Sequence, residues 1–250
     1  MKRKKDVIKK AVLASVLAMS LNNVVWAAEG VDQPFSTVSE LEALGGIASI
    51  DSSSISHVTK GIYASGNDFI YNSGAITLDI NAFGYDSIGI FGYNSTIDLK
   101  QIEMNFIDTS GTVHNLDVYG IKTYASGVVK IGDDSKITVS GNVSGLDSNN
   151  QPNVMKGMYA GDNATMDSGI IEVGDNLELN VINAGTGWTY GIDSYDGATI
   201  SVGDGLRLFV TGGKDTRGVE GRFNAAKVTL VGNGSIIATS RDGDGFRCWQ

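Results

Sequence analysis

The sequence holds one cysteine, two prolines and two histidines in 250 residues. A single thiol, Cys248, permits no intrachain disulfide, so the fold must rest on packing and backbone hydrogen bonds. The absence of a Gly-X-Y period excludes a collagen helix despite the abundant glycine. His57 and His114 lie far apart in the chain, and no G-x-S-x-G elbow accompanies them. Both therefore read as solvated surface residues rather than as members of a nucleophilic triad. Transmembrane length is missing as well, since the uncharged apolar run Ala11–Leu21 falls short of the ~20 residues a bilayer-spanning helix needs.

Basic residues are scarce and concentrated at the start. Met1–Lys10 carries six of them, Ala11–Leu21 follows, and then Val25-Trp26-Ala27. A charged lead, a short apolar run and a small residue at the cut form the pattern of a secretory signal peptide, with cleavage expected after Ala27. The remainder holds 13 basic and 27 acidic residues, a balance that argues against nucleic-acid binding.

What the chain has in quantity is glycine, 33 residues, and several of these mark a repeat. A glycine followed by an apolar residue recurs at Gly61, Gly89, Gly120, Gly157, Gly191, Gly218 and Gly245, spaced 27 to 37 residues apart. The next position is always apolar: Ile62, Ile90, Ile121, Met158, Ile192, Val219 and Phe246. The one after is mixed: Tyr63, Phe91, Lys122, Tyr159, Asp193, Glu220 and Arg247. The third is small: Ala64, Gly92, Thr123, Ala160, Ser194, Gly221 and Cys248. In–out–in alternation is the period of a strand, and a small residue suits a crowded inner corner.

A second run supplies the inward pairs Ile76/Leu78, Ile97/Leu99, Val129/Ile131, Ile171/Val173, Ile200/Val202 and Val228/Leu230. It commonly ends in a bend such as Val173-Gly174-Asp175-Asn176 or Val202-Gly203-Asp204-Gly205. A third run follows, for example Leu206/Leu208/Val210. Three short strands with two bends per unit predict one coil of a parallel β-helix, whose inner face is buried only by stacking on its neighbours. The expected fold is all-β, a right-handed parallel β-helix of about six to seven coils. The expected organisation is a signal peptide over 1–27, an N-terminal cap over 28–58 and the helix over 59–250. Thr37-Val38-Ser39-Glu40 reads as a capping box that opens a short helix over about 38–44, closed by Gly45-Gly46. Insertions fall after the third strand, at Asn142–Asn153 and Asn183–Thr189, and should form loops on one side. Gly245–Gln250 starts a seventh coil without its second strand, so the chain is expected to be a fragment or a truncated product.

Candidate chemistry is thin. Asp193 and Glu220 should stack outward on neighbouring coils near Arg222 and Arg247, as a solvent-exposed charge ladder in preference to an active site. Glycoside hydrolysis would require two carboxylates flanking a sugar. Tyr93, Tyr124, Tyr195 and Trp249 share the fourth column, as a cross-strand ladder or a platform for sugars. Asp133, Asp175, Asp204 and Asn233 follow equivalent bend glycines and serve turn geometry, since the calcium nonapeptide repeat is absent. Asp242-Gly243-Asp244-Gly245 lacks the remaining ligands of a calcium loop. No catalytic, cofactor-binding or metal residue is assigned, and no cofactor is expected.

The signal peptide, the acidic coils rich in Gly, Asn, Ser and Thr, the G-I-Y-A and V-G-D-x-L elements and the near-absence of cysteine resemble the passenger region of a bacterial autotransporter over roughly 60–250. The resemblance implies export, passage through a C-terminal outer-membrane barrel and display on the cell surface or release. This sequence contains no barrel, which leaves a periplasmic location as the alternative. The function so implied is a non-catalytic structural or adhesive stalk. Its expected partners are host or matrix glycans and proteins, or further copies through coil edges. The competing reading is a polysaccharide-active or carbohydrate-binding β-helix. A cleft of stacked acidic residues beside the loops 142–153 and 183–189 would favour the latter.

Overall fold

The structure is a computed structural model that describes residues 35–43, 45–50, 58–81, 83, 85–161 and 168–240. The expected signal peptide, His57, Asp242, Asp244 and the expected start of a seventh coil, with Arg247, Cys248 and Trp249, lie outside the described residues. What is described is the expected parallel β-helix, with six coils stacked in chain order.

The first strand of each coil carries the glycine motif. These strands are β2 (Val58–Ser65), β4 (Tyr85–Tyr93), β6 (Val118–Tyr124), β9 (Val154–Ala160), β12 (Trp188–Tyr195) and β15 (Thr216–Arg222). Each pairs in parallel with its equivalents above and below, making a six-stranded sheet. We call its outer surface the motif face. The remaining strands form an 11-stranded sheet around the other sides. In the third to sixth coils two short strands cover those sides: β7 (Val128–Ile131) and β8 (Lys136–Gly141), β10 (Ile170–Val173) and β11 (Glu178–Asn183), β13 (Thr199–Val202) and β14 (Arg207–Gly212), β16 (Lys227–Leu230) and β17 (Ser235–Ser240). In the first two coils the same path is a single 12-residue strand, β3 (Phe69–Ile80) and β5 (Thr96–Ile107), and β5 pairs with both β7 and β8. A short strand β1 (Ile47–Ile50) pairs with β3.

That continuous strand corrects one assignment. Ile76 and Leu78 stack on Ile102 and Met104, in the third column of the coil, whereas Phe69 and Tyr71 stand beneath Ile97 and Leu99. The strand is apolar at both ends, with a register shift between Tyr71 and Ala75, so its second pair imitates the first. Elsewhere the inward columns are as expected up to the last described coil, where Val228 is partly buried and Leu230 exposed because no described coil stacks on them. Ile62, Ile90, Ile121, Met158 and Ile192 are wholly buried in one continuous core. Full burial of such a side chain is worth roughly 1.5–3 kcal/mol, against roughly 0–1 kcal/mol for an exposed ion pair such as Lys130–Glu172. Stacking of the inward columns therefore holds the coils together.

The glycine column has a steric cause. A Cβ on Gly120 would lie 2.6 Å from the Gly157 carbonyl oxygen and 2.7 Å from Val139 Cγ2, and the same collision repeats up the stack. Glycine and the apolar residue after it both face inward, which bends the strand and brings successive coils into backbone contact there. The aspartates of the bends are likewise structural. Asp133 Oδ1 accepts the N–H of Asp175 at 2.7 Å, Asp175 Oδ1 that of Asp204 at 2.8 Å, and Asp204 Oδ1 that of Asn233 at 2.6 Å. This ladder also explains the glycines before Asp175 and Asp204, because a Cβ on Gly174 or Gly203 would strike the carboxylate beneath it.

The N-terminal end is covered by α1 (Val38–Ala43), and residue 44 of the expected helix lies outside the described residues. Glu40 reaches back to the N–H groups of Ser36 and Thr37, each at 3.1 Å, as half of a capping box does. Leu41 is buried beneath it, and Phe35 bridges to Ile62 of β2.

Candidate functional site

Three outward columns run along the motif face. The residue before each glycine is Lys60, Ile88, Tyr119, Lys156, Tyr190 and Arg217. Two residues after it come Tyr63, Phe91, Lys122, Tyr159, Asp193 and Glu220, and two further on Ser65, Tyr93, Tyr124, Gly161, Tyr195 and Arg222. These side chains are long enough to pack on one another and form a second layer outside the sheet. Ile88, Phe91, Tyr119 and Tyr159 make a buried cluster, flanked by Tyr63, Tyr124, Val154 and Tyr195. Cations sit over the rings: Lys60 is 4.5 Å from the centre of Tyr63, Lys122 4.2 Å from Tyr119 and Lys156 3.9 Å from Tyr159.

Toward the C-terminal coils this layer turns ionic. Asp193 and Glu220 do stack, as their register requires, but they are not exposed: their accessibilities are 0% and 2%. The neighbouring columns cover them. Asp193 Oδ2 receives Lys156 Nζ at 2.8 Å and Arg222 Nη2 at 2.7 Å. Arg217 binds Glu220 Oε1 and holds Asp215 at 2.6 Å. Arg222 Nε lies 3.3 Å from Glu220 Oε2 without the alignment of a hydrogen bond. Burial pushes the pKa of Asp193 up, but Lys156 and Arg222 outweigh it and hold the carboxyl below its ordinary value. Lys156 is lowered by its own burial, because the one carboxylate it shares with Arg222 does not make up the lost hydration. Glu220 is raised, by burial first, against the pull of Arg222 and Arg217.

Beside this network lies a cleft of about 300 Å³, small by the standard of ligand pockets. The insertion before β9 forms one bank with Asp147, Asn149, Gln151 and Pro152, and Trp188, at the start of β12, closes another side. Tyr119, Tyr159, Tyr190 and Tyr195 supply aromatic walls, with Asp117, Lys156 and Arg222 among them. The bank is held by its own turn: Asp147 Oδ1 accepts the N–H groups of Asn149 and Gln151, both at 2.8 Å. Buried Asn183, in the second insertion, accepts the N–H of Val143 at 2.9 Å and so ties the two loops together. Asp117 accepts from Tyr119 Oη at 3.0 Å and from the Val154 N–H at 2.9 Å. A larger, shallower depression of about 640 Å³ over Asp98, Lys130, Asp133 and Glu172 has no aromatic wall.

Sequence reasoning placed Asp193, Glu220, Arg222 and Tyr195 on one face, and they do meet there. Tyr93 and Tyr124 pack edge-on, 5.2 Å between centres, but Gly161 interrupts the expected stripe before Tyr195. Tyr119, Lys156, Tyr190 and Arg217 were missed, although they share the column just before the glycines. His114 is a correction. It is 4% exposed rather than solvated, with Nε2 2.5 Å from Asp108 Oδ2 and its ring packed edge-on to Phe83. The cause is the coil insertion, whose Val143 bridges to it and covers it. Among the described residues no group of three or more His, Cys, Asp or Glu side chains is placed to hold a metal ion, and no helix is long and apolar enough to cross a membrane.

Compared with known proteins, the chain matches no family model, no curated protein and no solved structure.

Proposed function

We propose that the chain is a non-catalytic β-helix that binds carbohydrate in the motif-face cleft and serves as an adhesive stalk outside the cytoplasm. The observation that carries this reading is the cleft itself. Several rings and a tryptophan wall a small polar hollow, a combination suited to the apolar faces and peripheral hydroxyls of a sugar. The loops that border it leave the coil where length varies, so the cleft is an addition to the scaffold and not a by-product of stacking. Export and surface display rest on the basic lead, the apolar run after it and the resemblance to autotransporter passengers.

The state of the acids supports a non-catalytic role. Asp117 and Asp147 are held by hydrogen bonds, and Asp193 and Glu220 by cations. A general acid and a base working on a glycosidic bond need freedom to trade protons with it. The test is a glycan array followed by calorimetry on the full chain. Binding that weakens roughly tenfold in Trp188→Ala supports the reading. Release of shortened glycan during incubation would move the protein to the polysaccharide-active class. No binding anywhere on the array would remove the carbohydrate reading.

A further inference from the structure

The cations of the cleft are already engaged, and its carboxylates Asp117 and Asp147 tip the lining away from anions. Lys156 and Arg222 both close on one oxygen of Asp193, a residue with no accessible surface. Asp117 is occupied by a phenol and a backbone N–H, while Asp147 takes two N–H groups of its own loop on Oδ1 alone and stays exposed. A carboxylated or sulfated ligand would meet the carboxylate of exposed Asp147 on the loop bank, and would have to draw Lys156 away from Asp193 to pair with it. That would take from buried Asp193 one of its two cations, which costs more than a new surface-facing ion pair returns. Among the described residues that line the cleft, the buried polar atom left without a partner is uncharged. Tyr190 lines the cleft, is 1% exposed, and has a hydroxyl with no hydrogen-bond partner. An orphaned buried hydroxyl is a standing penalty in the free chain, and it is relieved by a partner that both donates and accepts.

Resting on the carbohydrate reading, we infer that the cleft selects an uncharged pyranose over an acidic one, and that Tyr190 decides this through a hydrogen bond to a sugar hydroxyl. The ring of Tyr190 is already fixed. Arg217 and Arg222 guanidinium carbons lie 5.2 and 5.6 Å from its centre and Lys156 Nζ 5.5 Å. Trp188 stands edge-on to it at 6.3 Å and is only half-buried. The hydroxyl is covered in the free chain, so a sugar reaches it only by displacing a neighbour, and the inference gives that movement to Trp188, which also lines the cleft. Asn149 and Gln151 on the loop bank bring amides to the outer rim.

The experiment titrates the full chain with neutral tetrasaccharides (hexose and N-acetylhexosamine) and with uronate tetrasaccharides, each at low and high salt. The inference expects a neutral tetrasaccharide to bind with an affinity that salt leaves unchanged. Tyr190→Phe should weaken that binding about five- to tenfold while the circular dichroism stays the same. Binding confined to uronates and weakened by salt overturns the inference and leaves carbohydrate binding standing. Neutral binding that is equal in Tyr190→Phe overturns the role of Tyr190. Absence of binding by both series overturns this inference and the reading it rests on.

Discussion

Removing the carboxylate of Asp193 should be one of the most damaging polar substitutions in the molecule. Asp193 has no exposure, and Lys156 Nζ and Arg222 Nη2 sit 2.8 and 2.7 Å from the same oxygen. Arg222 is a quarter exposed and keeps Glu220, so water and a second anion compensate it; Lys156, at 7%, keeps only the attraction of Asp117, with which it has no ion pair. Asp193→Ala therefore strands one buried cation, for which a loss of about 3–5 kcal/mol is typical. Two features pull toward the lower end. Burial already favours the neutral form of Lys156, and the ring of Tyr159 under its ammonium group returns roughly 0.5–2 kcal/mol. Adding Lys156→Met to Asp193→Leu removes the stranded charge and should recover most of the loss, as apolar replacement of buried ion pairs commonly does. The assay is urea unfolding followed by tryptophan fluorescence, with Lys130→Ala as the internal control. Lys130 and Glu172 lie 3.1 Å apart but are about half exposed, so that change should cost at most about 1 kcal/mol. Equal, small losses in Asp193→Ala and Lys130→Ala would refute the argument, since they would mean that the Asp193 network is solvated.

Gly157→Ala should unfold the stack by more than the roughly 1–3 kcal/mol of ordinary overpacking, since its Cβ would meet the Gly191 carbonyl at 2.6 Å and Val181 at 2.7 Å. Gly74→Ala, with nothing within 4 Å, should be tolerated in the same melting experiment. Tyr190→Phe should raise the stability of the free chain by about 1–3 kcal/mol, because it deletes an unpaired buried hydroxyl; a lowered melting temperature contradicts this. Asp108 is opposed by burial, but Ser110 and His114 hold it below the ordinary carboxylate range. A depressed folded pKa adds stability that is complete above about pH 4 and fades as the pH falls through the folded value. Asp108→Asn should flatten that acid limb of the stability profile, and an unchanged limb would deny the pair its role.

The solenoid was legible because its inner columns obey one rule at every coil. Ile62, Ile90, Ile121, Met158 and Ile192 each face the core, and burial leaves little choice there. The V-G-D bends were legible in kind, while the carboxylate-to-backbone ladder that makes both residues necessary appears only when coils are stacked. Phe69 and Tyr71 were lost to Ile76 and Leu78 because a continuous strand offers two apolar pairs and periodicity cannot rank them. The cleft was half legible. Asp193, Glu220 and Tyr195 fall in columns after the glycine and were found. Lys156 and Tyr190 fall in the column before it, where a lysine, a tyrosine and an isoleucine share one outward position and no composition rule marks the face. Burial of Asp193 was beyond the sequence for the same reason, since alternation predicts the side of a strand and not whether large neighbours close over it. His114 was hidden by a coil insertion whose path no local pattern predicts.

The most direct measurement is a crystal structure of the full chain with whichever neutral tetrasaccharide binds. The account predicts a pyranose ring in the motif-face cleft, bordered by Trp188 and Tyr195, with one of its hydroxyls within hydrogen-bond distance of Tyr190 Oη and the Asp193 contacts to Lys156 and Arg222 intact. A sugar seated over the depression of Asp98, Lys130 and Glu172, or one that has displaced Asp193 from its cations, would contradict it.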